Sequence, residues 1–409
     1  MMTVMTDTHP SPKRRPWGHA LRHPGYRLFF CGQAVSLMGS WMQMVAQSWL
    51  VYRLTGSAEM LGLVAFVGQI PVFIFGLLGG AVADRVPRRR LILMTQGAFL
   101  LQAAGLAALT LAGWVQIWHV LALAVLFGII NAVDIPARQA FTVDLVGKED
   151  LGSAVALDAS IFNAARLVAP ALAGALVAAL GEGWCFALNA VSFLGVIIAL
   201  AVMAEPASAT GGPAGESMLA RVREGIAFVA GHGPILALMA MLGLSGLMGM
   251  SFSVLMPVFA DRVLAGGPEM LGLLMSAAGA GALAASLAVA GPMQGASRGR
   301  VAWGLCAFGV ALVAFALSRW GMLSMGLLAL AGMALVAHNT ASQILVQMLV
   351  PDAFRARTMA LYSMTFMVAT PSGSLLAGLL SERIGPQPTV ALGGVACILG
   401  ALAYRRWAP

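Results

Sequence analysis

The sequence predicts an all-α membrane protein: twelve transmembrane helices in two pseudo-symmetric six-helix bundles. Three observations lead there, namely the composition, the spacing of the apolar segments and an internal repeat. Of 409 residues, 60% are hydrophobic and 10% charged, with a mean hydropathy of +0.87. An average soluble domain carries about 25% charged and about 45–50% apolar residues, so a water-soluble fold is excluded. A helix crossing a hydrocarbon core of about 30 Å needs roughly 20 apolar residues, and twelve of them leave room only for short loops and tails. The apolar stretches are long and continuous, which excludes an alternating transmembrane barrel.

Hydropathy and breakers place the spans in order. Residues 1–25 form a polar, basic cytoplasmic tail with no cleavage site of small residues behind it, so no signal peptide is predicted. The first bundle, 26–204, holds spans at 26–50, 59–82, 91–112, 117–140, 152–180 and 184–204. Residues 205–233 form a cytoplasmic linker. Its first part, Pro206 to Gly215, is rich in Ala, Ser, Gly and Pro and reads as flexible. Its second part sets Met218, Leu219, Val222, Ile226 and Val229 opposite Arg221, Arg223 and Glu224, an amphipathic helix suited to the inner membrane surface. The second bundle, 234–404, holds spans at 234–260, 269–291, 301–317, 321–349, 357–380 and 389–404, and 405–409 is a cytoplasmic tail.

Charge sets the topology. With the N-terminus inside, 19 of the 24 Lys and Arg residues fall in inner segments; Arg53, Arg262, Arg319 and Arg383 fall outside, and Arg166 lies within a span. This positive-inside bias puts both termini in the cytoplasm and the protein in the cytoplasmic (inner) membrane. The formal charge of +8 is spread over short loops, so no nucleic-acid partner is expected. Cys31, Cys185, Cys306 and Cys397 stand singly in apolar spans and read as buried small hydrophobes.

The halves are related by sequence. Glu59-Met60-Leu61-Gly62-Leu63 recurs as Glu269-Met270-Leu271-Gly272-Leu273, an offset of 210, at which Arg88 and Arg90 also meet Arg298 and Arg300. Further on the offset is 204: Ala137 and Gln139 meet Ala341 and Gln343, and Ala173-Gly174 meets Ala377-Gly378. Parallel repeats of six spans are a recurrent transporter architecture.

The loop after the second span reads Gly80-Ala-Val-Ala-Asp84-Arg85-Val-Pro87-Arg88-Arg89-Arg90. It resembles the signature loop of the major facilitator superfamily, Gly-x-x-x-Asp-Arg/Lys-x-Gly-Arg-Arg/Lys, with Pro87 at the second Gly. The resemblance implies a latch of the cytoplasmic gate built from Gly80, Asp84, Arg85, Arg88 and Arg89. Physically, Gly80 allows close helix approach and Asp84 can accept from an arginine or a helix N-terminus. The second copy has Gln294 opposite Asp84. In the fifth span, Ala169-Pro170-Ala171-Leu172-Ala173-Gly174 is similar to the Gly-Pro-x-x-Gly-Gly element of proton-coupled exporters in that superfamily. Pro170 frees a backbone carbonyl and Gly174 permits tight packing; ordinary small-residue packing explains the pattern equally well. Three segments resemble the enterobactin-exporter-like branch, which includes drug efflux proteins. They are Trp49-Leu50-Val51-Tyr52-Arg53-Leu54-Thr55-Gly56-Ser57-Ala58, Asp134-Ile135-Pro136-Ala137-Arg138-Gln139-Ala140-Phe141 and Ile161-Phe162-Asn163-Ala164-Ala165-Arg166.

Ionisable groups inside a membrane are costly and mark function by default. Asp158, Phe162 and Arg166 form an i, i+4, i+8 row on the fifth span, with the two charges roughly 12 Å apart along the axis, so each needs a partner elsewhere. Asp134 and Arg138 are spaced for an i, i+4 ion pair, and His338 is the counterpart of Asp134 at offset 204. These five are the candidate coupling residues; the alternative is a structural pair at Asp134–Arg138 and a packed histidine. By resemblance, spans one, four, seven and ten line a cavity. Candidates are the first-span stripe Gln33, Ser36, Ser40, Gln43 and Gln47, the seventh-span Met250 and Phe252, and Asn339 and Gln343 on the tenth. A polar wall facing a methionine-rich one suits an amphipathic organic molecule.

The function expected is a secondary active transporter that expels a small amphipathic organic molecule, siderophore or drug-like, by alternating access, with the proton gradient as energy source. No cofactor is expected, since the chain has no phosphate-binding loop. The expected partners are the substrate and membrane lipids, around a monomer. The alternatives of the same fold are a lipid or lysolipid translocator and a metal-ion exporter. The latter would want clustered ligands, where the spans offer only His338 with Asp134. No enzymatic constellation is recognisable.

Overall fold

The structure, a computed structural model, describes residues 18–203, 218–290 and 297–407, and the side chains of all of these except 77, 84, 218–222, 251, 289–290 and 407. The basic tail Lys13 to Arg15, the stretch Pro206 to Gly215 and Gln294 lie outside the described residues. Asp84, Met218, Leu219, Arg221 and Val222 lie outside the described side chains.

All the regular elements among the described residues are helical. α1 spans Pro24–Thr55, α2 Ala58–Arg85 and α3 Arg88–Leu111. The continuous stretch Ile117–Leu180 breaks at Gly147, whose φ of 70° and ψ of 172° no helix accommodates. It therefore counts as α4 (117–146) and α5 (148–180). Glycine is the residue that enters this left-handed region without steric cost. α6 is Glu182–Val202 and the linker helix α7 is Met218–Ala230. α8 runs from Gly233 to Val263 with two wide π turns, Ser245–Gly249 and Phe259–Val263. α9 (Gly267–Ala290), α10 (Arg298–Leu317), α11 (Gly321–Leu349), α12 (Asp352–Ile384) and α13 (Pro386–Trp407) complete the chain. Ten stretches are long and apolar enough to cross a membrane. The twelve-span expectation is reached by dividing Ile117–Leu180 at Gly147 and adding α1, whose polar residues keep it out of the ten.

Each half packs on itself first. In the first, α2 lies on α4, and α6 on α1 and α3; in the second, α9 lies on α11, and α10 on α11 and α13. The halves then join along two edges, α5 on α9 and α2 on α12. The linker helix does not lie free on a surface. Phe228 stacks on Phe354 of α12 at 4.4 Å between ring centres, Glu224 pairs with Arg357, and Val229 is buried. Ile226 stays exposed. Of the cysteines, Cys185 and Cys397 are buried, but Cys31 is exposed and Cys306 only partly covered, so the expectation of four buried thiols is corrected.

Candidate functional site: a cleft between the two halves

The repeat residues form the joint between the halves. On one edge, a Cβ added to Gly62 of α2 would stand 2.6 Å from the Ser374 carbonyl and 3.2 Å from Gly378 Cα; one on Gly378 would meet the Ala58 carbonyl at 2.6 Å. On the other edge, a Cβ on Gly272 of α9 would stand 2.4 Å from the Pro170 carbonyl, and one on Gly174 2.6 Å from that of Pro268. The pairs Gly62–Gly378 and Gly272–Gly174 are the same contact made twice, since Gly62 matches Gly272 and Gly174 matches Gly378 in the repeat. Backbone meets backbone here, so no side chain larger than hydrogen fits without separating the helices. Pro170 belongs to this seam: lacking an N–H, it leaves the Arg166 carbonyl free, and that oxygen faces Gly279 of α9.

Polar contacts lock the same end of the molecule, remote from the termini. The Tyr52 hydroxyl at the end of α1 donates to Asp261 Oδ2 at 2.8 Å and accepts from Arg262 Nε at 3.0 Å. Arg262 also donates to the Gly56 carbonyl at 2.8 Å. Both acidic and basic partners sit on the second π turn of α8. On the α2/α12 edge, Glu382 accepts from the Ala58 N–H at 3.1 Å and from the Ser57 hydroxyl at 3.3 Å, placing a carboxylate at the positive N-terminus of α2. The sequence reasoning missed this lock. Its one signal was that Arg262 and Tyr52 occupy matching repeat positions, an offset of 210.

Towards the termini the halves separate. On α5, Val155 (57% exposed), Ala159 and Phe162 (45%) lie at i, i+4 and i+7 on the face between those that pack on α1 and α9. Arg166 continues that stripe at i+11, where α5 and α9 come into backbone contact. On α2, Phe73 is exposed and nothing lies within 4 Å of a Cβ placed on Gly76 or Gly80. The arrangement is a cleft, open at the end that carries the termini and shut at the other, with Arg166 at its apex.

The charged candidates divide in this frame. Asp134 is fully buried; its carboxylate accepts from Thr95 Oγ1 at 2.6 Å and Gln96 Nε2 at 3.1 Å. Arg138 Nε stands 2.7 Å from its other oxygen, an ion pair out of hydrogen-bond alignment. Arg138 also donates to Gln33 at 3.3 Å. Asp158 accepts from the Tyr26 hydroxyl at 2.9 Å, and among the described residues no cation lies within ion-pair distance of it. Arg166 likewise has no carboxylate partner among the described residues. His338 is buried with Nδ1 2.9 Å from the Val301 carbonyl, and its Nε2 meets no partner. Asp134 and His338 therefore each belong to the interior of their own half and do not form a pair.

Several expected cavity residues lie elsewhere. Gln43 is buried, donating to Gln102 at 3.2 Å and accepting from Asn189 at 2.8 Å. Ser36 is buried, and Ser40 donates to the Ser36 carbonyl. This part of the stripe tightens α1 against α3 and α6; it is not a cavity wall. Phe252 is buried edge-on against Phe308, which also removes it from the cavity. Gln47, Met250 and Asn339 are partly covered, with Asn339 offering its carbonyl to Tyr362, while Gln343 is exposed.

The sequence profile of the transmembrane secretion effector family matches residues 16–408. The chain belongs to this family, within the major facilitator superfamily. Relatives include the "Staphyloferrin A transporter" of Staphylococcus aureus, 25% identical over 92% of this chain and 95% of that one. The "Multidrug efflux pump Tap" of Mycolicibacterium fortuitum is 28% identical over 89% and 91%. The "Enterobactin exporter EntS" of Shigella boydii is 24% identical over 92% and 90%. Among solved structures, the nucleoside transporter NupG shares the fold at a TM-score of 0.74 and 14% identity, covering 94% of this chain and 98% of that one. A bacterial homologue of the iron transporter ferroportin does so at 0.69 and 17%, covering 94% and 98%. This secretion effector is thus a multi-pass transporter of the major facilitator type.

The signature loop of this transporter works within its own half in this conformation. Arg88 donates to Asp144 of α4 at 2.5 Å, and Arg89 donates to the Leu200 carbonyl at 2.6 Å, capping the C-terminal end of α6. Arg85 is exposed. Gly80 faces open space, so the close approach expected there is not made in the cleft-open state.

Proposed function

We infer that this secretion effector is a proton-coupled exporter of small amphipathic organic molecules, working by alternating access from a cytoplasm-facing cleft. With both termini cytoplasmic by the positive-inside bias, the cleft opens to the cytoplasm, where cargo for export is collected. The relatives, a siderophore transporter, a multidrug efflux pump and an enterobactin exporter by name, support this direction and substrate range.

The observation that carries the coupling is at Asp158. Asp134, Asp144 and Glu182 each have an arginine within 2.7 Å inside their own half. Asp158 flanks the cleft-facing stripe of α5 and is held by one neutral hydroxyl, with no cation within ion-pair distance among the described residues. A carboxylate so placed can take a proton when the opposite end opens and return it when the cleft is open. The lock at Tyr52, Asp261, Arg262 and Glu382 would break in the first step, and the loop at Gly80 to Arg89 would close over the cleft. The test is transport of a catecholate siderophore into inside-out proteoliposomes under an imposed proton gradient. Gradient-driven flux is expected in the parent and in Asp158→Glu and is lost in Asp158→Asn. Flux that survives both gradient collapse and Asp158→Asn overturns the coupling.

A further inference from the structure

We propose that Arg166, backed by Phe162 and Trp41, is the anchoring site for an aromatic organic anion at the apex of the cleft. This deepens the exporter reading and rests on it for the cleft being the substrate path. A guanidinium in a spanning helix is costly unless something offsets its charge. The other arginines that reach into the described spans are matched: Arg138 by Asp134, Arg88 by Asp144 and Arg53 by Glu182. Arg166 has no such match among the described residues. Asp158, the acid on its own helix, lies two turns nearer the cleft mouth, roughly 12 Å along the axis. When the halves close over the cargo, water is excluded from the apex, and the charge must then be met by what the cargo brings.

The surroundings say what kind of anion. Phe162 stands one turn towards the mouth, 45% exposed although Trp41 of α1 packs edge-on against it at 5.6 Å and 69° between ring planes. That leaves an aromatic surface one helical turn from a planar, five-donor fork, which matches a carboxylate in bidentate geometry together with a ring. Across the cleft the repeat places Phe366 and Thr370 at the positions of Phe162 and Arg166. Thr370 Oγ1 is buried on the α8 side, 3.3 Å from a Cβ placed on Gly246, with no hydrogen-bond partner. The matching position of the second half thus brings no carboxylate to offset Arg166, so the apex is net positive and selects against cationic cargo.

The test uses purified full-length chain in detergent and three fluorescent probes: dansylglycine, its neutral amide, and the cation ethidium. A charge-assisted contact contributes about 1.5–3 kcal/mol, so dansylglycine should bind about 10- to 100-fold more tightly than the amide. That ratio should fall to near one in Arg166→Gln, be reduced but stay above one in Arg166→Lys, which keeps the charge and loses the fork, and survive in Phe162→Ala while both dansyl probes weaken. The inference is overturned if the two dansyl probes bind equally, if ethidium binds most tightly, if none binds, or if Arg166→Gln keeps the ratio. Loss of the ratio in Arg166→Lys as well as Arg166→Gln marks a packing role and also overturns it. Because binding is read without a gradient, loss of proton coupling leaves this result untouched, and equal binding of the probes leaves the exporter reading intact.

Discussion

The two halves share their scaffold and differ in their chemistry. Where they touch, the contact glycines of the repeat are kept: Gly62 against Gly378 and Gly272 against Gly174 are one contact used twice. Where they face the cleft or their own interiors, the first half carries Asp134, Asp158 and Arg166, and the second answers with His338, Tyr362 and Thr370. Backbone-to-backbone joints tolerate no change of volume, so duplication preserves them. Polar positions are free to diverge, and here charge has been retained on one side. The lesson is that the charged candidates within the spans lie in one half, with uncharged or neutral-capable side chains at the matching positions of the other.

The comparison is broken most directly at Asp134 and His338. Asp134→Ala strands Arg138, Thr95 and Gln96, and removal of one partner from a buried pair costs about 3–5 kcal/mol. Arg138 is partly exposed (32%), so the lower end of that range is expected. His338→Gln forfeits one hydrogen bond, worth about 1 kcal/mol. Thermal unfolding of the detergent-purified variants should show the larger fall for Asp134→Ala. Equal falls would mean the halves are electrostatically alike after all.

The seam offers the opposite kind of check, because symmetry is the expectation. Gly62→Val and Gly272→Val each drive a side chain into backbone atoms that cannot yield. Overpacking typically costs about 1–3 kcal/mol, which should push the locked end open. Both variants should lose a similar share of closed molecules, read as spin-label distances across that end. If one edge tolerates valine, the two copies of the contact are not equivalent and the lever is one-sided.

Much of this architecture was legible beforehand, for physical reasons. Long apolar runs bounded by charge dictate spans. The repeat was visible, but not that its two pieces are each other's partners, because that depends on how helices far apart in sequence come together. Within the stripe Gln33 to Gln47 helical period gives a face, while what covers Gln43 is set by α3 and α6, whose Gln102 and Asn189 claim it. Arg166 was legible because an unmatched charge in a span is conspicuous. The lock was not, since the π turn that carries Asp261 and Arg262 breaks the 3.6-residue period that a sequence reading assumes.

The lock sharpens the comparison at smaller amplitude. Tyr52 and Arg262 stand at matching repeat positions and meet across the pseudo-symmetry axis. Tyr52→Phe removes one hydroxyl that both donates and accepts, leaving Asp261 and Arg262 to pair directly. The net loss expected is about 0.5–1.5 kcal/mol of closed-state stability. It should appear as a roughly two- to tenfold rise in the share of molecules open at the locked end, measured by spin-label distances across that end. No change would place the closing force wholly in the glycine seam.

The smallest effect separates the two edges of the seam. Glu382 caps the N-terminus of α2 through the Ala58 N–H. On the other edge the equivalent of Ala58 is Pro268, which has no N–H to offer, and the equivalent of Glu382 is Ala178. The missing carboxylate and the missing donor explain each other. Glu382→Gln should therefore weaken closure by about 0.3–1 kcal/mol, the usual value of a charge at a helix N-terminus, and less in high salt. Ala178→Glu should add close to nothing, because Pro268 leaves the new carboxylate without its first donor. Spin-label distances between the α1–α2 and α12–α13 turns, and between the α5–α6 and α8–α9 turns, read the two edges separately. If Ala178→Glu tightens its edge as much as Glu382 tightens its own, the helix dipole alone accounts for the cap, and the difference between the edges carries no structural meaning.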